Sequence, residues 1–374
     1  MLDLQVYLKE LGEIVSIESP TSHPEGTKAV AEYLNAKLTA LGWITEFIDC
    51  GSAVGPCLKA VNRASDKYDL LMLGHMDTVF PLGTLKEWPF SVEGNIARGP
   101  GVTDMKGGLL YMYHAAKYLT EQKMLDNTSI CLLFNPDEET GTRDSRPVVE
   151  AEAQKADLVF ILEGARPNGA MVKERKGVGQ YNLTFKGIAA HAGVAPQNGA
   201  SALVEMFNWG IELSKLTDFD KGLTVNVGIA SGGSGVNVVA ENAIAKVDLR
   251  VLDSKDAEKV DAKIQELLAN PFNPKVKTTV DGGLNRPPMN TSPKSLEVCA
   301  QVTAIAKTMD IDLDWVSTGG GSDGNFTAAL GIPTLDGMGP IGGDLHSTKE
   351  YGLVDSYVPR FNLLVETIKQ VVIK

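Results

Sequence analysis

The chain has 374 residues, 43% hydrophobic and 22% charged, enough to bury a core on the scale of two domains. Its formal net charge is −12, without a basic block or Arg interleaved with aromatics, which argues against nucleic acid as a partner because phosphate neutralisation needs clustered Lys and Arg. The acidic N-terminus lacks the basic start of a signal peptide, no run has the length to cross a bilayer, and the four cysteines form no C-x-x-C pair; the expectation is a cytoplasmic, reduced protein that binds no membrane.

Leu4, Leu8, Leu11 and Val15 recur at helical spacing, and a second helix is expected from about Glu25 to Leu41, with Gly42 as its stop. Three nearly continuous apolar runs follow: "DLLMLG" at 69–74, "SICLLFN" at 129–135 and "DLVFILE" at 157–163. Runs without alternation suit strands buried on both faces. "MKGGLLYMYHAAKYLT" between the first two reads as a crossover helix, so the class is α/β, a mixed sheet flanked by helices.

Beyond residue 176 the texture changes. "GVGQYNLTFKG" and "NAIAKVDLRV" alternate apolar with polar, as strands solvated on one face do. With helices near 200–216 and 255–269 and the strands "LTVNVGIA" and "KVKTTV", the order is β-α-β-β-α-β, the ferredoxin-like arrangement. "DGGLNRPP" at 281–288 reads as a hinge leading back, and helices near 294–309 and 356–373 resume the first style. The expected organisation is a discontinuous catalytic domain, 1–176 and 287–374, interrupted by an inserted α+β domain over 177–286.

Each buried strand ends in a potential ligand: His75 and Asp77 after the first, Glu138 and Glu139 after the second, Glu163 after the third. Asp104 sits in the Gly-rich turn "ARGPGVTDMKGG", and His346 in "GGDLHSTKE". Ligands collect beyond the carboxyl ends of strands in open α/β sheets. Acids gathered there repel unless a cation holds them. Two imidazoles and three carboxylates suit two divalent metals sharing one carboxylate, zinc first, with cobalt or manganese as alternatives.

"GHMDTV", "GPGVTDMKGG", "PDEETGT", "LEG", "AAHAG" and "LHSTKE" together resemble the co-catalytic zinc metallopeptidases, a family of glutamate carboxypeptidases, succinyl-diaminopimelate desuccinylases, aminoacylases and tripeptidases. "RKGVGQYNLTFKGIAAHAG" and "TGGGSDGN" point to the glutamate carboxypeptidase branch. The resemblance implies a zinc-exopeptidase catalytic fold in which His75 and Glu163 bind one metal, Glu139 and His346 the other, and Asp104 bridges. It implies Glu138 as general base and Asp77 as the partner of the second nitrogen of His75, a carboxylate contact that ligating histidines usually make. Met105 stands where the family often has an acid or Asn.

His191 is implied as an oxyanion donor supplied across a homodimer by the inserted lid domain, with Asn237 in the same domain. Arg250 is implied as the grip on a substrate carboxylate, and Ser322 and Asp323 as lining of the substrate pocket. His23 and His114 are read as structural. The expected activity is release of a C-terminal amino acid, glutamate first, from a small peptide or N-acyl amino acid. The alternatives are an N-acyl-amino-acid deacylase, a desuccinylase or a tripeptide aminopeptidase with the same centre, and more remotely an inactive metal-binding scaffold.

Overall fold

In the computed structural model, which describes residues 1–374, the three apolar runs become Leu70–His75, Ile130–Asn135 and Val159–Ile161, adjacent in one sheet. They lie parallel, with Leu70–His75 in the middle. Cys57–Val61 adds antiparallel to Ile130–Asn135, Ile44–Ile48 follows outside it, and Thr334–Leu335 extends the other side in parallel, giving a six-stranded mixed sheet.

The lack of alternation has a direct cause. Leu70, Met72, Ile130, Leu132 and Phe134 enter one core; Leu71, Leu73, Cys131, Leu133, Val159 and Ile161 enter another. The first core is shared with helices Leu4–Val15, Pro24–Ala40, Lys106–Glu121, Pro293–Thr308 and Val354–Thr367, the second with Arg146–Ala153. Gly108 on the crossover helix makes its close approach possible: a Cβ there would lie 1.9 Å from the Leu162 carbonyl oxygen. No helix is long and apolar enough to cross a membrane.

The chain divides into two compact units. One contains Met1–Glu174, Met289–Thr318 and Ser322–Lys374; the other contains Arg175–Pro288 and the short segment Gly319–Gly321. The second unit has a four-stranded antiparallel sheet in the order Thr224–Gly232, Asn242–Val251, Gly177–Lys186, Lys277–Arg286. In chain order that is 2-3-1-4, the ferredoxin-like topology, with helices Ala202–Ser214 and Ser254–Ala269 packed on it.

One reading is corrected. Residues 281–286, expected as hinge, continue the last strand of this sheet. Gly282 pairs with Tyr181 and Gly283 with Gln180. Gly282 has φ +113, and a Cβ there would lie 2.0 Å from the Gln180 oxygen, so glycine serves strand pairing at this point.

Candidate metal centre

The parallel register sets His75 beside Asn135 at the end of the sheet, while Glu163 follows two residues after the Val159–Ile161 strand. Asp104 closes the turn before the crossover helix, and Glu138 and Glu139 open a short 3-10 turn after Asn135. His346 reaches the same place from an exposed turn in which it takes φ +61.

The two oxygens of Asp104 meet different imidazoles. Oδ1 lies 3.1 Å from His75 Nε2, and Oδ2 lies 3.2 Å from His346 Nε2. His75 Nε2 is also 3.5 Å from Glu163 Oε1, and His346 Nε2 is 3.2 Å from Glu139 Oε2. Each imidazole thus faces Asp104 and one further carboxylate. Glu138 brings a carboxylate oxygen within 4.8 Å of the His75 and Glu163 donors.

His75 Nδ1 is 3.0 Å from the Asp77 main-chain carbonyl and 3.3 Å from its Oδ1. Both are acceptors, so the neutral ring carries its proton on Nδ1 and turns the Nε2 lone pair toward the Asp104 and Glu163 oxygens. Three lone-pair donors facing one another need a cation or a proton between them. Without a metal, protons serve. Burial opposes a charge on His75, yet Asp104, Asp77 and Glu163 raise its pKa well above the ordinary value. Hydrogen bonds to Asp104 and Glu139 raise His346 to about 11. Burial, then the charge of Asp104, lifts Glu139 to about 8 and Glu163 also upward. Burial would raise Asp104 too, but His346 and His75 hold it below the usual carboxylate range.

Two observations test whether these residues fit divalent cations. Glu139 Oε1 is buried with no hydrogen-bond partner, although its other oxygen faces His346. Metal–ligand bonds of about 2.0–2.2 Å in tetrahedral geometry place neighbouring donors about 3.3–3.6 Å apart, close to the spacings seen here. The donor set fits.

Asp77 organises this cluster from behind. It is fully buried; Glu138 N donates to its Oδ1 and Glu139 N to its Oδ2, each at 3.1 Å, and the Thr21 hydroxyl donates to Oδ2. Ser19 buttresses the same loop, its hydroxyl donating to the Met76 carbonyl and its carbonyl accepting from Thr78 N. Met105 is buried and its Sδ accepts from His75 N at 3.2 Å, so a thioether meets the His75 backbone where the family often has an acid or Asn. Thr21 and the buried Glu350 were not legible as site residues, because isolated Thr or Glu residues give no pattern.

A family profile described as peptidase family M20/M25/M40 matches residues 71–370. The chain belongs to that family. It is 31% identical to carboxypeptidase G2 of Pseudomonas sp. over 359 residues, covering 94% of this chain and 86% of that protein. It is 27% identical to succinyl-diaminopimelate desuccinylase of Polaromonas sp., covering 94% of this chain and 91% of that one. A tripeptidase structure from Staphylococcus aureus superposes with a TM-score of 0.82 at 22% identity, covering 99% and 98% of the two chains. This M20 chain is therefore a metallopeptidase-type hydrolase from a family that generally carries a dinuclear metal centre.

The other expected residues of the M20 chain fall in different surroundings. Ser322 and Asp323 are buried and engaged: Ser322 N donates to Asn325 Oδ1, its hydroxyl to Asp336, and Asp323 accepts from the Thr142 hydroxyl. They brace the turn that follows Glu139 through Thr142.

In the second unit, Arg250 donates from Nε and Nη2 to Asp248 and from Nη1 to the Gly319 carbonyl. His191 is exposed, and its Nδ1 accepts from Gly193 N and Val194 N, which puts the ring proton on Nε2. Asn237 is exposed and accepts on its main-chain oxygen from Ala192 N, holding the His191 turn. His114 is buried against Glu10 at 2.7 Å, and His23 lies 3.3 Å from Glu25.

Proposed function

We propose that this M20 enzyme releases a C-terminal amino acid, glutamate first among candidates, from a peptide or N-acyl amino acid. The observation that carries the reading is a single carboxylate, Asp104, whose two oxygens each meet a different imidazole, with Glu138 beside one of them. In this reading His75 and Glu163 hold one cation, Glu139 and His346 the other, and Asp104 both. Zinc suits the imidazole and carboxylate donors, with cobalt or manganese as alternatives. The bound pair would lower the pKa of water and polarise the amide carbonyl. Glu138 accepts the proton of the attacking water and passes it to the leaving nitrogen. Glu139 beside it is committed to ligation, which is why two acids stand together.

The second unit supplies recognition in this proposal. Arg250 keeps two N–H donors beyond those used by Asp248 and Gly319, enough for one substrate carboxylate. His191 offers its Nε2–H to the developing oxyanion of a partner subunit. Homodimerisation through this unit is supported by an exposed stripe on Ala202–Ser214, where Val204, Phe207 and Ile211 are each more than half exposed. A wild-type chain that sediments as a fully active monomer would remove both the dimer and the His191 role.

The 31% identity to carboxypeptidase G2 favours C-terminal release over desuccinylation. A parallel assay decides: N-acyl glutamates, other N-acyl amino acids, a succinylated diamine, and tripeptides with free or blocked amines. Fastest turnover of N-acyl glutamates is expected. Preference for free tripeptides, lost on blocking the amine, would replace this reading with an aminopeptidase.

A further inference from the structure

Four residues past His346, Glu350 turns its side chain into the protein and is fully buried. Its carboxylate closes a ring of backbone donors. Oε1 accepts from Thr103 N at 2.8 Å and Asp104 N at 2.9 Å, and Oε2 accepts from Gly101 N at 3.3 Å. Converging main-chain N–H groups of this kind form a concavity for an anion. Here the anion is a side chain of the same protein.

The turn being gripped is the one that ends in Asp104. It is irregular: Gly99 and Gly101 take φ +143 and +74, and a Cβ on Gly101 would lie 2.8 Å from the Thr78 side chain. The segment doing the gripping carries His346. There Asp344 and His346 take φ +53 and +61, a left-handed conformation unusual for such residues. The His346 side chain is 58% exposed, so packing cannot hold it. The turn is drawn together by Glu350 N donating to the Ser347 carbonyl and the Ser347 hydroxyl donating to Asp344 O. Thr103 adds one strut, its hydroxyl donating to the Tyr351 carbonyl at 2.8 Å.

We propose that Glu350 is the positioning residue that sets Asp104 and His346 in register, so that the cation site nearer His346 exists only while Glu350 spans the two turns. The inference rests on the reading of Asp104 and His346 as metal ligands. It assigns Glu350 a geometric task, reach and acceptor placement, and no contact with substrate.

Two variants separate geometry from charge. Glu350→Gln keeps the length and, through its carboxamide oxygen, the acceptor for the two shortest bonds, but loses the charge and the third bond, from Gly101 N. Glu350→Asp keeps the charge but falls one methylene short of the donors. Metal-free wild type and variants are titrated with Zn(II) against a chromophoric chelator, and with Co(II) followed by its visible absorption. The wild type should take up two equivalents. Glu350→Asp should weaken the second by about 10- to 100-fold, the usual cost of removing the support of a metal ligand, and alter the Co(II) band of that equivalent. Glu350→Gln, which gives up the charge and only the longest of the three bonds, from Gly101 N at 3.3 Å, should weaken the second equivalent clearly less than Glu350→Asp does.

If Asp binds the second metal as well as Gln does, or if both variants match the wild type, the proposal is overturned. A wild type that takes up no second equivalent would instead overturn the dinuclear reading beneath it. Glu350→Ala is a less useful probe, since it leaves three backbone donors unpaired and could fail to fold.

Discussion

Replacing Asp77 by Asn tests how far the metal centre depends on a residue that binds no metal. Asp77 is fully buried, and its two oxygens take one N–H each from Glu138 and Glu139, while Oδ1 also lies 3.3 Å from His75 Nδ1. Asn has nearly the same shape but only one acceptor oxygen. Whichever way its amide turns, an NH2 faces either Glu138 N or Glu139 N, so one backbone donor loses its partner. The loss of a hydrogen bond to a charged group costs about 1.5–3 kcal/mol. At about 1.4 kcal/mol per factor of ten, that is roughly 10- to 150-fold. It should appear as weaker Zn(II) binding in a chelator competition and as a lower kcat/KM at saturating metal. The circular dichroism of the folded protein should be unchanged. An Asp77→Asn enzyme within about threefold of wild type in both, well under that range, would show that Glu138 and Glu139 are placed by something other than this carboxylate.

Two further outcomes follow from the same geometry. Glu138→Ala should retain two metals per chain while lowering kcat by about 10²- to 10⁴-fold, the range for a lost general base; loss of metal instead would make Glu138 a ligand. In metal-free protein, Glu139 holds its proton up to about pH 8 and His346 up to about pH 11, against ordinary values of 4.5 and 6.5. The folded state binds more protons than the unfolded chain between those values, so the stability from these groups is full at low pH and lost as pH rises through the folded pKa values. The melting temperature of metal-free protein should fall from about pH 5 to about pH 9, and added Zn(II), which replaces those protons, should flatten the slope. A melting temperature that rises over that interval would refute the assignment.

What could be read from the sequence and what could not divide along physical lines. Strands buried on both faces announce themselves as unbroken apolar runs, and the residue that ends such a run must be polar where the strand leaves the core. That is why His75, Glu139 and Glu163 stand out from the amino-acid pattern alone. The inserted unit was legible for the opposite reason, since a sheet solvated on one face alternates. Gly282 and Gly283 misled because composition cannot distinguish a flexible glycine from one required by close strand pairing. The surroundings of Ser322 and Asp323 were hidden for a related reason. A polar turn rich in glycine looks exposed, and only the contacts of Asn325, Thr142 and Asp336 show that it is buried. Glu350 was out of reach because its meaning lies in three donors some 250 positions away in the chain.

The buried acids around the centre fall into two chemical kinds. Asp77, Asp137 and Glu350 each accept from at least two backbone N–H groups: Glu138 and Glu139, Asp144 and Ser145, and the Gly101–Asp104 turn respectively. Asp104, Glu139 and Glu163 accept from no backbone N–H and face only imidazoles, or nothing, as Glu139 Oε1 does. A carboxylate satisfied by fixed amide dipoles has no need of a cation, whereas one left facing lone pairs does. The first kind therefore shapes the site whether or not metal is present, and the second kind is what the metal satisfies. Amide hydrogen exchange tests the division. After chelation, the amides of Thr103, Asp104, Glu138 and Glu139 should stay protected, since their acceptors belong to the first kind. Rapid exchange at these amides in metal-free protein would mean that the cations, not the backbone-held acids, build the turns that carry the ligands.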